Sequence, residues 1–263
     1  MAGGQDKPVA TFVITGAGSG MGQACIDLVR NDADVIVAVD LQTPAVEATV
    51  GVACDVSDPA AVAALAARVR DIGEFRALIH AAGVSPTMAD ARRVLEVDLV
   101  GTQLLLDAFD PLVVTSTAAV CFASSAAHHV MPYIDADQEG LLRDPCASDF
   151  LDRAVALVDG DPGFAYALAK VGVIRAAGRA AVRWGARGGR VNSLSPGLID
   201  TPMGRQEFEQ QPIMKEMLDR TPLARVGRPE EVAAVAAFLV SEAASFVSGI
   251  DVLVDGGLSQ APG

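Results

Sequence analysis

Tyr166 stands four residues before Lys170, in the run Tyr166-Ala167-Leu168-Ala169-Lys170. The chain has only two tyrosines, and lysine occurs only at positions 7, 170 and 215, the rest of the positive charge being arginine. The choice of lysine at 170 has chemical content. A guanidinium keeps its proton, whereas an ammonium is a compact charge whose pKa moves readily. Residues four apart on a helix share a face, so the ammonium is set beside the phenol. A free phenol titrates at about 10, and an adjacent cation favours the phenolate. A phenol tuned in this way can exchange a proton with a substrate oxygen. A Tyr and a Lys one turn apart also occur on ordinary amphipathic helices, so the pair gains meaning only from the rest of the chain.

The elements that would position this pair begin at the N-terminus. Residues 9–14 form an apolar, β-branched run that reads as a buried strand, and Gln23 to Arg30 carries apolar residues at helical spacing. Between them lies Thr15-Gly16-Ala17-Gly18-Ser19-Gly20-Met21-Gly22. Backbone approaches a pyrophosphate closely where Cβ is missing, and a helix N-terminus adds N–H donors and positive potential. The spacing of Gly16, Gly20 and Gly22 is G-x-x-x-G-x-G. Asp40 closes the next strand, Val35 to Val39, about 20 residues beyond this loop, where an acid accepts hydrogen bonds from the adenosine ribose and repels a 2′-phosphate. Leu41 and Gln42 follow it and Ser19 sits in the glycine loop, so no basic residue is at hand for that phosphate. The expected cofactor is NAD(H).

These residues together resemble the short-chain dehydrogenase/reductase family over essentially the whole chain. The resemblance rests on the glycine loop at 15–22, on Cys54-Asp55-Val56, on Ala81-Ala82-Gly83 in place of Asn-Ala-Gly, and on Ser124-Ser125-Ala126-Ala127. It continues through Asn192 to Thr201, Gly227 to Val232, and Ser248 to Gly257. It implies that Tyr166 is the acid or base, that Lys170 lowers its pKa and contacts the nicotinamide ribose, and that a serine orients the substrate oxygen. Ser125 is the better match to that serine, with Ser124 the alternative. It also implies cofactor contacts from Gly16, Gly18, Ser19, Gly20, Met21, Gly22, Asp40, Leu41, Asp55, Val56, Ala81, Ala82, Gly83, Tyr166, Lys170, Pro196, Gly197, Ile199 and Thr201. Asp55 would touch the adenine, Ile199 would hold the carboxamide through its backbone, and Thr201 would reach a phosphate.

Two features depart from the family pattern. Asp98 occupies the position of an Asn whose backbone holds a water of the proton relay. It either serves through its carbonyl or pairs with Lys170 and blunts that residue's effect on Tyr166. The connection from Ser125 to Tyr166 is also unusually long, and residues 129–162 read as a helical insertion. There Leu141-Leu142 suggests a short helix. Phe150, Leu151, Ala154, Val155, Leu157 and Val158 form an apolar stripe after a cap at Ser148 or Asp149, and Asp159 to Gly163 stops it. The insertion resembles that of bacterial 3α-hydroxysteroid dehydrogenase/carbonyl reductases, which implies a hydrophobic alcohol or ketone as substrate. It shapes either the substrate pocket or an oligomer interface. His128 and His129 at its mouth either line the pocket or stand aside.

The remaining pattern fits one α/β domain over residues 1–263, a doubly wound parallel sheet. Strands near 9–14, 35–39, 50–53, 77–80, 119–123, 190–193 and 250–254 alternate with helices near 20–30, 58–70, 90–109, 164–184 and 229–240. Residues 203–220, rich in Met and Phe, read either as a mobile lid or as core. A chain of 263 residues with 51% hydrophobic content has material for a large core. The net charge of −13 argues against nucleic-acid and anionic-membrane partners. The four cysteines lack metal-ligand spacing and suit a reducing compartment. No leader precedes the first strand and no run is long enough to span a membrane, so a cytoplasmic protein is expected; the resemblance implies a homodimer or homotetramer, since the helices at 90–109 and 164–184 usually pair in that family. Two other functions fit parts of the pattern. A catalytically silent NAD-binding protein accommodates Asp98 and the long Ser–Tyr connection. A 3-oxoacyl thioester reductase shares the fold, but it calls for NADPH and a basic patch.

Overall fold

The computed structural model describes residues 8–46 and 49–261; the N-terminal segment 1–7, read above as carrying no leader, lies outside them. Seven strands form one sheet: β1 (Ala10–Thr15), β2 (Val35–Asp40), β3 (Val50–Ala53), β4 (Glu74–His80), β5 (Ala118–Phe122), β6 (Arg190–Pro196) and β7 (Asp251–Val254). Their order is β3-β2-β1-β4-β5-β6-β7 and every pairing is parallel. The order reverses between β1 and β4, and in such sheets ligands bind in the crevice at the carboxyl ends of the strands flanking that point. β4 begins at Glu74, earlier than the apolar run alone indicates, because its first residues pair with β1.

Eleven α-helices connect these strands: α1 (Gly20–Val29), α2 (Pro59–Ile72), α3 (Ala91–Leu95), α4 (Gly101–Phe109), α5 (Ser125–Val130), α6 (Ala136–Leu141), α7 (Phe150–Leu157), α8 (Pro162–Gly185), α9 (Pro202–Gln210), α10 (Ile213–Arg220) and α11 (Pro229–Val240). Their starts follow local chemistry. Asp58 and Asp161 accept backbone N–H bonds ahead of Pro59 and Pro162, and Asp135 with Gln138 forms a capping box on α6. Asp149 precedes α7 without a side-chain cap bond and pairs with Arg153 instead.

The sheet is covered on both faces. Cys25, Ile26 and Val29 of α1 and Val232, Ala236 and Leu239 of α11 pack against Ile14, Ala38 and Ile79. On the other face Leu65, Leu105, Phe109, Ala177 and Trp184 pack against Val13, Val37 and Leu78. Phe75 anchors that side, with ring centroids 4.8 Å from Phe109 and 6.0 Å from Trp184. Such burial of strands on both faces is why they appear as apolar runs rather than alternating patterns.

Two findings refine the expectation. The segment 90–109 is not one regular helix: between α3 and α4 the chain makes a π-helical turn, Glu96–Val100. Helices α6 and α7 do lie in the segment 129–162. Their Leu141, Leu142, Phe150, Ala154 and Val158 join Val94, Leu95, Leu99, Leu168 and Val171 in a third apolar cluster. The segment is therefore packed onto α3, the π turn and the first half of α8.

Candidate active site

The π turn and α8 create the centre of the site. Gly172 of α8 comes so close to the π turn that an added Cβ would meet Leu99 Cδ2 at 2.5 Å. This contact sets Lys170 against Asp98, Nζ to Oδ2 3.1 Å, with the two residues 5% and 1% exposed. The contact is an ion pair that lies off the hydrogen-bonding direction of Oδ2. Lys170 Nζ donates to the Phe122 carbonyl (3.3 Å) and lies 5.3 Å from the centre of the Tyr166 ring. Asp98 Oδ1 accepts the Val84 N–H (2.8 Å). A Cβ on Gly83 would lie 3.1 Å from Asp98 Oδ1 and 3.3 Å from Lys170 Nζ, so the Ala81-Ala82-Gly83 turn abuts the pair.

A chain of buried hydrogen bonds fixes the π turn from behind. The Ala82 N–H donates to Thr15 Oγ1 (3.2 Å), which is 2.7 Å from His80 Nδ1; His80 Nε2 is 2.9 Å from Thr102 Oγ1, which donates to the Asp98 carbonyl (2.6 Å). Because the Thr102 proton is committed to that carbonyl, Nε2 carries the imidazole proton and Nδ1 accepts from Thr15. Burial, with Lys170 nearby, pushes the His80 pKa down to about 3, so the ring is neutral. Neither His80 nor the two threonines were singled out from the sequence. Their signal is a His ending β4 in register with a Thr ending β1.

Charge is distributed unevenly over this centre. Burial resists the Lys170 ammonium, but Asp98 and Tyr166 beside it raise its pKa on balance. Burial also raises Asp98, against the pull of Lys170 and the Val84 N–H. These two shifts oppose each other in what they say of the pair. An ammonium offers only donors, so the oxygen facing it is best satisfied as a carboxylate, and the pair stands ionised. Burial raises the Tyr166 phenol; Lys170 draws it down, while Asp98 and Glu207 push it up, and the balance is upward.

Of the two serines it is Ser124 whose side chain draws the Tyr166 phenol downward, the smallest of the influences on it. Its hydroxyl accepts the Ala126 N–H at 3.2 Å, capping α5. Ser125, the better match by pattern, is the first residue of α5 and 3% exposed. One residue later on a helix is a rotation of about 100°, which separates the two hydroxyls. His128 Nε2 pairs with Asp251 Oδ2 (2.7 Å), whose Oδ1 accepts from Ser193 Oγ (2.6 Å), tying α5 to β6 and β7; His129 is exposed.

The residues expected to hold a dinucleotide lie at the carboxyl ends of β1, β2, β3, β4 and β6. Gly16, at φ +68°, lies where a Cβ would meet the Ala81–Ala82 backbone at 2.8 Å, and a Cβ on Gly22 would lie 2.2 Å from the Gly16 carbonyl. Ser19 is the N-cap of α1 without a side-chain cap bond, with Met21 in the first turn. Asp40 Oδ2 accepts the Gly18 N–H (2.9 Å) and Oδ1 the Leu41 N–H (2.8 Å), which holds the carboxylate under the loop. Asp55 is held by Ser57 and by Arg93, whose Nη2 is 2.7 Å away, and these contacts lower its pKa against the effect of burial. Val56 packs its side chain in the core and leaves only backbone to a ligand. Pro196 ends β6, Gly197 abuts Asp255, and Ile199 bridges to Gly227. Thr201 caps α9 through the Gly204 N–H (2.9 Å) and lies 3.2 Å from where a Gly20 Cβ would be. A row of positions where Cβ does not fit, ending at a helix N-terminus beside a ribose-height carboxylate, fits a dinucleotide.

The read lid segment 203–220 folds as α9 and α10. Met214 packs with Leu198 and Leu258, flanked by Phe208, Met217 and Leu218. Gln206 of α9 donates to the Thr87 carbonyl in the loop after Gly83, and the charge of Glu207 beside it raises the Tyr166 phenol; neither residue was anticipated. Glu207 stands four residues after Met203, on the same helix face, which was the available signal.

A doubly wound sheet, a glycine cradle at its switch point and a Tyr–Lys pair against the Gly83 turn are the features an oxidoreductase using a nicotinamide dinucleotide requires. A family profile described as enoyl-(acyl carrier protein) reductase matches residues 16–137 and 152–259. D-threitol dehydrogenase of Mycolicibacterium smegmatis is 31% identical over 268 residues, covering 93% of this chain and 91% of its own. An uncharacterised short-chain type dehydrogenase/reductase of Sinorhizobium fredii is 32% identical across 96% of this chain, which spans 44% of that relative's length. The 3-alpha-hydroxysteroid dehydrogenase of Pseudomonas sp. B-0831, solved in complex with NADH, superposes with a TM-score of 0.79 at 30% identity, over 94% of this chain and 96% of that one. The chain belongs to the short-chain dehydrogenase/reductase family.

Among the described residues no helix is long and apolar enough to cross a membrane, and no cluster of His, Cys, Asp or Glu is arranged to hold a metal.

Proposed function

We propose that the protein interconverts a hydrophobic secondary alcohol and its ketone with NAD(H), through Tyr166, Lys170 and Ser124. The observation that carries this reading is the Tyr166 ring 5.3 Å from the Lys170 ammonium, itself against the Gly83 turn. When bound, the nicotinamide takes the carbinol hydrogen with its bonding pair, or returns it to the carbonyl carbon. In oxidation Tyr166 takes the hydroxyl proton as the C=O bond forms; in reduction it gives that proton to the substrate oxygen. Ser124 holds the same oxygen in register. Lys170, next to Gly83 and paired with Asp98, would hold the nicotinamide ribose.

Asp40 supports NAD over NADP: its carboxylate faces the ribose position, and neither residues 15–22 nor 41–46 contain Lys or Arg. The NADH in the hydroxysteroid relative agrees with the cofactor, and the name of the threitol relative agrees with alcohol oxidation though its alcohol is a polyol. The packing of α6 and α7 onto α3 and α8 supports an insertion that covers a face these helices share with a partner in the family, so the expected homo-oligomer would form through other surfaces.

The family profile's description gives weight to a second reading, reduction of an acyl thioester. A net charge of −13 works against an acidic carrier. NADH and NADPH binding by nucleotide fluorescence, followed by a screen of secondary alcohols, ketones including steroids, and acetoacetyl-CoA, separates the readings. The expected result is NADH preference with alcohol turnover, a fall of about 10²- to 10⁴-fold in kcat for Tyr166→Phe, and unchanged NADH affinity. Tight NADH binding without turnover would establish a silent binding protein. NADPH preference with thioester turnover would establish the second reading.

A further inference from the structure

Helix α9 touches both walls of the crevice. Gln206 donates from Nε2 to the Thr87 carbonyl at 3.2 Å, in the loop that follows Gly83. On the other side its cap, Thr201, brings Cγ2 to 3.2 Å from where a Gly20 Cβ would be. Between the start of α9 and the glycine loop lies a cleft of about 340 Å³, lined by Ser19, Gly20, Gln23, Asp200, Pro202 and Arg205. Among the described residues, Arg205 is the only cation on its walls. The Arg205 N–H donates to the Thr201 carbonyl at 2.9 Å, so the two residues, four apart, share a helix face.

The charges at this cleft leave Arg205 available. Helix α1 carries no acid in its first turn, and Ser19 at its start makes no side-chain cap bond. Asp27, also on the cleft wall, pairs with Arg30 at 3.0 Å. Glu230 belongs to the first turn of α11, whose N-terminus favours an acid. Arg205 Nη1 reaches Asp200 Oδ1 at 2.6 Å, with the two side chains 60% and 57% exposed. An ion pair so open to water contributes little and exchanges readily. A guanidinium meets a phosphate with two parallel N–H bonds, and a diphosphate carries more charge than one carboxylate. We propose that Arg205 leaves Asp200 to bind the diphosphate of the dinucleotide, so that α9 grips the cofactor through Arg205 as it grips the loop after Gly83 through Gln206. This inference rests on the NAD(H) reading above and gives its site a cation that neither residues 15–22 nor 41–46 supply.

The test titrates NADH by fluorescence into the wild type, Arg205→Gln, Arg205→Lys and Asp200→Asn. Arg205→Gln is expected to weaken binding about tenfold, the effect of one charge-assisted hydrogen bond, and Arg205→Lys to recover part of the loss. Asp200→Asn removes the competing partner and is expected to tighten binding about threefold. A pair that only shaped the start of α9 would give the opposite sign there, with both variants binding more weakly. Unchanged affinity in Arg205→Gln, or an equal weakening in Asp200→Asn, overturns the proposal. ADP, which shares the diphosphate and lacks the nicotinamide, is titrated by calorimetry and should lose the same factor in Arg205→Gln. A loss confined to NADH would put Arg205 at the nicotinamide end and overturn the proposal as well. Wild-type preference for NADPH with the Arg205→Gln loss retained would sink the NAD(H) reading and leave the role of Arg205 standing. Preference for NADH with no dependence on Arg205 would do the reverse.

Discussion

The nucleotide half and the substrate half of this molecule are built by opposite means. Around β1, β2 and the start of α1 the decisive feature is missing atoms: Gly16 and Gly22 sit where a Cβ would fall 2.8 and 2.2 Å from backbone. Around α8 and α9 the decisive feature is side chains delivered from distant stretches: Asp98 from a π turn, Ser124 from the end of β5, Gln206 from α9. A cradle of missing atoms tolerates no additions but needs no long-range precision. A cluster of delivered side chains depends on every helix that carries one. The first is therefore expected to fail by steric exclusion and the second by small changes of charge and direction.

The largest effect expected on the nucleotide side comes from Gly22→Ala. The new Cβ would stand 2.2 Å from the Gly16 carbonyl and 3.0 Å from that of Thr15, both of them backbone, so the loop itself must move. The expected result is a weakening of NADH binding by about a hundredfold or more, roughly 2.7 kcal/mol, read by fluorescence titration. Alcohol turnover should be recoverable at high cofactor concentration, because no catalytic side chain has changed. Unaltered NADH affinity would break the comparison, since the cradle would then not be what binds.

Ser124 and Ser125 test the substrate half and also show what could be read in advance. Ser124→Ala is expected to lower kcat by about a hundredfold and to remove about 1 kcal/mol of helix capping. Ser125→Ala should leave kcat within about threefold, since on the proposed function Ser124 and not Ser125 holds the substrate oxygen. Steady-state kinetics with a melting curve for each variant separates the two losses. Equal losses in kcat would show that Ser124 does not define the reacting oxygen's position. The sheet order and the cradle were legible because apolar runs and glycine spacings are local patterns. Choosing between adjacent serines was not, because it turns on the residue at which β5 ends and α5 begins. The π turn was equally hidden: Glu96 to Val100 reads as continuous helix, and only the close approach of Gly172 to Leu99 shows what it accommodates. Gln206 was overlooked among the Met and Phe residues of its segment because a lone polar residue there looks solvated until the opposing loop is known.

Asp98→Asn is expected to change rate least and pH dependence most. Asparagine keeps an acceptor for the Val84 N–H and leaves the Thr102 bond to the backbone carbonyl intact, so plateau activity should stay within about tenfold, or 1.4 kcal/mol of barrier. What changes is the field at Tyr166. Burial raises the phenol, Lys170 lowers it, and Asp98, together with Glu207 from α9, raises it again. Removing the Asp98 charge leaves the pull of Lys170 less opposed, and the phenol's pKa falls. Alcohol oxidation uses the phenolate as base, so its rate climbs with pH through that pKa and the climb should move to lower pH in the variant. Ketone reduction uses the phenol as acid, so its alkaline decline should also begin at lower pH. Paired pH profiles of kcat/KM in the two directions therefore shift together. Profiles that stay in place, or a plateau change of several hundredfold, would mean that Asp98 acts on the position of Lys170 rather than on the charge at Tyr166. The substrate half would then be as much a matter of shape as the glycine cradle.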